Sequence, residues 1–360
     1  MATNNKVYKA RKHGTNNDGY TQYPEALEKL RSIFSKMKSK NGTPLTNQTI
    51  TNYTNKINKI SIMMLGHGYN GDHKFLLKPD PIIKKLNESG LKSQKDYLSP
   101  IVKLLQYLGG NDKQIKEMNT SMVSYKEEED TKRKDNKATT KEKQNAMPLS
   151  EIKKKLDKYS YGSNGNIDKT KLMNKLLVSL YFDNELIARN NYYNMKIASI
   201  TKKNKDFNRN YNYLIIDRNK KPINFIMLNY KTSNTYGMQK FPIKSQELIN
   251  VITDYINVFE KVPGDLLFAD KNNNEFRPTT FIDMIINAMN DVLGKPINID
   301  LIRKIHITEF IKSGLKSENE KEEFAKRLLH SVDKQKEYMK VDLFKEDRQK
   351  RNEDINNNDD

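Results

Sequence analysis

The sequence predicts a mainly α-helical protein whose second half is an α+β domain with a small three-stranded antiparallel sheet. Three observations carry this. Apolar residues recur at three- and four-residue steps over much of 24–110 and again beyond residue 149. Three short runs, "YNYLIID", "INFIMLN" and "MQKFPI", are separated by the turn sequences "RNKKP" and "TSNTYG". Between the two regions lies "KEEEDTKRKDNKATTKEKQN" (126–145), apolar only at one alanine.

Residues 1–22 are polar and without periodicity, as expected of a mobile basic arm. Leu27, Leu30, Phe34 and Met37 then share a helical face after Pro24. Thr46 can cap a second helix carrying Ile50, Tyr53, Ile57, Ile60 and Met64, with Asn52, Asn55, Lys56 and Lys59 on its other face. "DPIIKKLNESG" and "SQKDYLSPIVKLLQYLGG" read as two more helices, so 23–112 is expected to be a helical domain. Residues 113–146 are expected to be a charged linker. From 147 to 344 the second domain opens with the helix "KTKLMNKLLVSLYFDN" and continues through the strand-like runs. Helices follow at "SQELINVITDYINVFEK", "TTFIDMIINAMNDVLG", "IDLIRKIHITEFIKSG" and "SENEKEEFAKRLLH". Residues 345–360 are expected to be a disordered tail.

Charge narrows the function. Lys and Arg number 64 against 45 Asp and Glu, a formal net charge of +19. Such an excess suits a polyanion, because lysines and arginines placed near phosphates release condensed counterions. An AT-rich genome also enriches Lys, Asn and Ile, although acidic residues here do not keep pace. There is no cysteine, which excludes disulfides, thiolate-bound zinc and thiol catalysis. No apolar run is long enough to cross a bilayer, and "MATNNKVYKARKHG" has no apolar signal region, so a soluble, intracellular protein without membrane contact is expected. Phosphate-binding loops, dinucleotide fingerprints, HExxH and EF-hand loops are missing from the sequence. His67 and His73 sit in the glycine-rich "LGHGYNGDH", which reads as a surface loop rather than a metal site.

The second domain holds an ordered set of polar residues. Arg189 follows the "KTKLMNKLLVSLYFDN" helix in "ARNNYYNM". Lys231 opens the turn between the second and third runs, with Lys240 its rival inside the third. Arg303 lies within the apolar helix "INIDLIRKIHITEF", and His330 and Tyr338 lie in "LLHSVDKQKEY". Singly, each reads as an ordinary surface or core residue. Together they offer planar, permanently charged guanidinium forks for phosphate oxygens, a hydroxyl nucleophile, and groups able to move protons near neutral pH.

This order resembles the tyrosine recombinases, the phage-integrase family, whose catalytic fold the poxvirus-type topoisomerases share. "ARNNYYNM" and "LLHSVDKQKEY" look most similar to integrases of large DNA viruses, virophages and related eukaryotic mobile elements. The resemblance covers about 147–342 by motif order and 24–110 by architecture. It implies an N-terminal helical, SAM-like core-binding domain, with Asn52, Asn55, Lys56 and Lys59 toward DNA, followed by the catalytic domain. It also implies a catalytic set of Arg189, Lys231, Arg303, His330 and Tyr338, site-specific cutting and rejoining through a 3′-phosphotyrosyl intermediate, and no metal, nucleotide or other cofactor. The partners implied are double-stranded DNA and a homo-tetramer on paired sites. The place of action would be where the target DNA lies, a host nucleus or a viral factory. Three positions depart from the family pattern. Asp300 stands where His or Lys is usual three residues before Arg303, leaving Lys304 or His306 as auxiliary donors. The acidic residue usual shortly after the first arginine is absent, Asn190, Asn191 and Tyr192 standing there, and His330 to Tyr338 is one residue shorter than usual. A topoisomerase-like enzyme, and a catalytically decayed DNA-binding protein, are the alternatives.

Overall fold

The computed structural model describes residues 20–39, 42–89, 94–134, 136–163, 166–203 and 206–344. The tail at 345–360, and all of the expected basic arm before Tyr20, lie outside the described residues. The chain divides into two compact units between residues 134 and 135.

The first unit is helical throughout its described residues: α1 (Pro24–Ser35), α2 (Asn47–Leu65), a 3₁₀ turn (Lys74–Leu77), α3 (Pro79–Glu88), α4 (Gln94–Leu108) and α5 (Asp112–Lys134). Pro24 starts α1 because its fixed φ suits the first helical position and its missing N–H has no intrahelical partner there. Thr46 caps α2 by accepting from Thr49 N at 3.2 Å. Gly66 ends α2 at φ 75°, the left-handed region that glycine enters without penalty. Leu30, Phe34, Ile57, Ile60, Leu98 and Leu105 meet in the core. The expected linker at 113–146 does not run as a separate segment here. Met118 and Tyr125 of α5 are buried in this core, and the Tyr125 hydroxyl donates to Asn87 Oδ1 at 2.6 Å. Ile115, Met118, Met122 and Tyr125 keep helical spacing, and apolar content vanishes only from Lys126 onward.

The second unit begins with α6 (Thr140–Asn145), α7 (Leu149–Lys158), β1 (Gly162–Ser163), β2 (Asn166–Ile167) and α8 (Lys169–Phe182). Leu172, Leu176, Val178, Leu180 and Tyr181 of α8 are buried around most of its circumference, so it is the central helix. It packs against α7, α10 (Gln246–Val258) and α11 (Pro278–Leu293). The sheet comprises β3 (Met195–Ser199), β4 (Asn212–Ile216), β5 (Pro222–Met227) and β6 (Gln239–Pro242) in that spatial order, with α9 (Ser233–Tyr236) between β5 and β6. α12 (Ile299–Lys312), α13 (Glu318–Arg327) and α14 (Val332–Tyr338) complete the unit.

The sheet corrects the expectation of three antiparallel strands. The three anticipated strands are antiparallel, but β3 adds a fourth, parallel to β4, pairing Met195 with Asn212 through Ser199 with Ile216. All five residues of β4 are buried because both faces are covered. Leu214 and Ile216 face the helical core; Tyr213 and Ile215 pack with Ala198, Phe207 and Ile226 on the other side. The outer edge of β3 is closed by residues 264–267, where Ile197 N donates to Asp265 O at 2.8 Å and Leu267 N to Met195 O at 2.7 Å. The anticipated simple hairpin turn after Lys231 instead contains the helical turn α9, ended by Gly237 at φ 63°.

Asn212 joins the sheet to the loop ahead of β3. It is fully buried, its amide donates to Asn191 O and Asn229 O at 3.0 Å each, and its oxygen accepts from Leu228 N and Asn229 N at 2.9 Å. Replacing it removes a partner from four backbone groups at once, of which Asn229 O keeps the Asn191 amide at 3.2 Å. Asn212→Ala is expected to lower unfolding free energy by about 3 kcal/mol in denaturant melts. A loss below about 1 kcal/mol would show that the network adds little.

Candidate active site

Three segments of the second unit meet at one point: the loop after α8, the middle of α12, and the turn from α13 into α14. The loop is pinned from both sides. Tyr181 donates its hydroxyl to Arg189 O at 2.7 Å, and Arg189 N donates to Asn191 Oδ1 at 3.2 Å. Ile187 N donates to Arg327 O at 2.9 Å, tying the loop to the end of α13. With its backbone so held, Arg189 donates from Nη2 to the Tyr338 hydroxyl at 3.0 Å.

Arg303 is 1% exposed. Its Nη1 donates to Ile187 O at 2.9 Å and its Nη2 to Leu328 O at 3.0 Å, so the guanidinium holds the two loops at fixed separation. Its Nε is buried without a partner among the described residues. The guanidinium lies 5.3 Å from the centroid of the Tyr338 ring. Burial, and then the charge of Arg189, pull its pKa down to about 10. It remains a cation at neutral pH, held by carbonyl dipoles.

His330 enters the site through a strained turn. Leu329 adopts φ 53°, a left-handed conformation uncommon for a side chain of its size. The imidazole lies edge-on to Tyr338, centroids 5.9 Å apart, and neither ring nitrogen has a partner among the described residues. Burial, then Arg303 and Arg189, push its pKa down to about 3, so the ring is neutral at neutral pH and a weak base while no anion offsets the two arginines. Tyr338 ends α14, half-buried, with its hydroxyl on Arg189. Four of the five residues singled out in the sequence therefore meet: two arginines, a neutral histidine and a phenol.

Lys231 is exposed on the connection between β5 and β6, while its neighbours are anchored. Tyr230 donates to Gly237 O at 2.6 Å, and Thr232 Oγ1 donates to Leu329 O at 2.9 Å, beside His330. The connection and this turn wall a pocket of about 480 Å³ lined by Tyr230, Tyr236, Gln239, Leu329 and His330. Lys240 also points outward, from β6, on the strand face opposite buried Phe241.

The structure places the three auxiliary candidates elsewhere. Lys304 is paired with Asp300 and Glu142, and Asp300 turns to Lys304 one helical turn away rather than to an arginine. His306 is buried, its Nε2 2.8 Å from Tyr181 O and its ring stacked on Phe182. In the first unit, Asn52, Asn55 and Lys59 are exposed on α2. Lys56 lies 3.7 Å from Asp96 Oδ2, and both lysines approach the Tyr97 ring, at 5.8 and 6.0 Å. His67 Nδ1 lies 2.7 Å from Gly68 O, edge-on to Tyr23. Sequence reasoning missed Tyr181, Asn191 and Thr232. A tyrosine on the inner face of an apolar helix was a signal, since its hydroxyl needs a buried acceptor.

No family model matches the chain, and no curated protein matches its sequence. Among solved structures it is similar to XerA recombinase, at 13% identity and a TM-score of 0.36, covering 91% of this chain and 98% of that one. It is also similar to XerH site-specific recombinase bound to difH substrate in a pre-cleavage complex, at 12% identity and a TM-score of 0.39, covering 88% of this chain and 91% of that one. At these scores the overlap is loose, and what the chain can do is decided at its own side chains.

The geometry gives His306 a structural role with a pH signature. Burial depresses its pKa to about 4 against an ordinary 6.5. Its contribution is therefore complete above pH 6.5 and is lost as pH falls toward the folded value. Between about pH 7.5 and pH 5 it should remove about 2 kcal/mol of stability. His306→Gln, which can still donate to Tyr181 O, is expected to flatten the stability–pH curve by that amount. An unchanged slope would contradict the buried, neutral assignment.

Proposed function

We propose that this chain is a site-specific DNA recombinase or integrase that cuts and rejoins DNA through a 3′-phosphotyrosyl intermediate. The observation that carries the reading is the Tyr338 hydroxyl 3.0 Å from Arg189, with the Arg303 guanidinium beside the same ring. A phenol between two arginines, neither ion-paired among the described residues, is suited to an anion that itself carries the reacting bond.

The step follows from those positions. Tyr338 Oη attacks the phosphorus, the bond to the 5′ oxygen breaks, and one phosphodiester replaces another. Arg189 and Arg303 compensate the charge that develops on the non-bridging oxygens. With the phosphate anion offsetting the two arginines that depress its basicity, His330 accepts the phenolic proton, directly or through a phosphate oxygen, and Lys231, brought in on the β5–β6 connection, protonates the leaving 5′ oxygen. The reverse attack by another strand's 5′-hydroxyl completes the exchange. Because the intermediate conserves the bond energy, the cycle calls for neither metal nor nucleotide.

On this reading the partner is double-stranded DNA, attracted by the net charge of +19. Exchange between two duplexes cuts four strands, which calls for four copies acting together. The amide- and lysine-rich face of α2 is the proposed second DNA contact. The wording of the arginine and tyrosine boxes favours an integrase of a large DNA virus, virophage or related mobile element, acting wherever the target DNA lies.

Tyr338→Phe is expected to bind DNA as the parent does and to form no detergent-stable adduct; an adduct in this variant would remove Tyr338 as nucleophile. Lys231→Ala should slow cleavage by about 10²–10⁴-fold. A substrate with sulfur at the 5′ leaving position needs no proton and should rescue it, while Arg189→Ala and Arg303→Ala should stay slow. Equal rescue of all three, or rescue of Lys240→Ala in place of Lys231→Ala, would contradict the assignment of the acid.

A further inference from the structure

Tyr338 closes a helix of seven residues. A helix that short has little stability of its own, so the position of its last side chain is set by what holds its ends. In the middle of the helix, buried Gln335 donates to Lys321 O at 2.8 Å. Beyond the tyrosine the chain folds back into its own unit. Lys340 N donates to Thr308 Oγ1 at 3.1 Å, and Val341 N to Asn136 O at 3.0 Å. Asp342 then accepts from Ala138 N through Oδ1 at 2.7 Å and meets Lys143 Nζ through Oδ2 at 2.8 Å. The Asp342 residue is 6% exposed and Leu343 3% exposed. Hydrogen bonding to Lys143 and Ala138 overcomes burial and holds the carboxyl below its ordinary range, so it is ionised at neutral pH.

We infer that Asp342 is a positioning residue for Tyr338: it fastens the strap after the nucleophile to the segment leading into α6, and so sets the phenol against Arg189 and Arg303. The inference rests on the reading of Tyr338 as nucleophile. A tail packed only for stability would not need a buried carboxylate bonded at both oxygens four residues beyond the reacting side chain. A buried ionised group makes its position steeply unfavourable to change, since any displacement leaves the charge unpaired. Thr308 lies on α12, the helix that carries Arg303, so one helix locates both the phosphate-facing cation and the strap beyond the phenol.

The test uses the full chain with Asp342→Ala, Asp342→Asn and, as a variant less prone to misfold, Lys143→Met, whose site is partly exposed. Adduct formation is followed in single turnovers, DNA affinity by titration, and amide exchange over residues 338–342 without DNA. Asp342→Ala is expected to lose about 10–100-fold in adduct rate, with affinity nearly unchanged and exchange at Lys340 and Val341 increased. Asp342→Asn, which keeps an acceptor for Ala138 N, should recover most of the rate, and Lys143→Met should lose a few-fold. In a Tyr338→Phe background, hydrogen peroxide can attack the bound phosphate in place of the phenol, and Asp342→Ala should leave that reaction alone.

An unchanged adduct rate in Asp342→Ala, or unchanged amide exchange, would overturn the clamp while leaving the nucleophile in place. A parallel fall in peroxide-driven cleavage would also overturn it, by showing general damage to the site. A parent protein that forms no adduct at all, with amide exchange responding as expected, would instead overturn the nucleophile reading and with it the role given to Asp342.

Discussion

A buried arginine without an ion-pair partner among the described residues organises the second unit. Arg303 sits in α12 among Leu301, Ile302 and Ile305, and its charge is met by the carbonyls of Ile187 and Leu328. Desolvating a cation is costly, and carbonyl dipoles offset only part of that cost. The arrangement holds because the two donated bonds also bring the arginine loop and the histidine turn together. Remove the guanidinium and only the bonds from Ile187 N to Arg327 O and from Arg327 Nε to Glu185 O, among those described, still join the arginine loop to the end of α13. Bring a phosphate to the site and the remaining desolvation is offset by a full negative charge. On the proposed function, structural and chemical roles therefore fall on one side chain.

The electrostatics of the cluster follow from that constraint. Burial, and after it the charge of Arg189, lowers the Arg303 pKa; burial, and after it both cations, keeps His330 neutral. A site with two guanidiniums lacking an ion-pair partner among the described residues and an uncharged imidazole suits an anion more than a neutral ligand. The carboxylates nearby are occupied elsewhere, Asp300 and Glu142 by Lys304 and Asp342 by Lys143.

Much of this was legible in the sequence, for identifiable reasons. The helices could be read because their apolar faces repeat every three to four residues, and α2 even announces its cap at Thr46. Strand β3 was missed because "MKIAS" follows the arginine box without a turn signal, and its parallel partner lies across a loop. α5 was missed as part of the first core because its charged second half masks the spacing of Met118 and Tyr125. At the site, the order of Arg189, Arg303, His330 and Tyr338 could be read, and the structure brings those four together. The fates of Asp300, Lys304 and His306 could not, because they depend on which way each faces around α12: Lys304 meets Glu142 from α6, while His306 meets Tyr181 from α8.

On the proposed function, the phenolic oxygen of Tyr338 is the atom that joins protein to DNA. Trapping the intermediate on a nicked duplex, digesting it with trypsin and weighing the nucleotide-bearing peptide tests this most directly. The expected product is the peptide Glu337–Lys340 carrying a nucleotide through its 3′-phosphate on Tyr338, with a free 5′-hydroxyl on the other DNA end. A nucleotide on any other residue, a 5′-phosphate linkage, or no stable linkage with an active parent protein would contradict it.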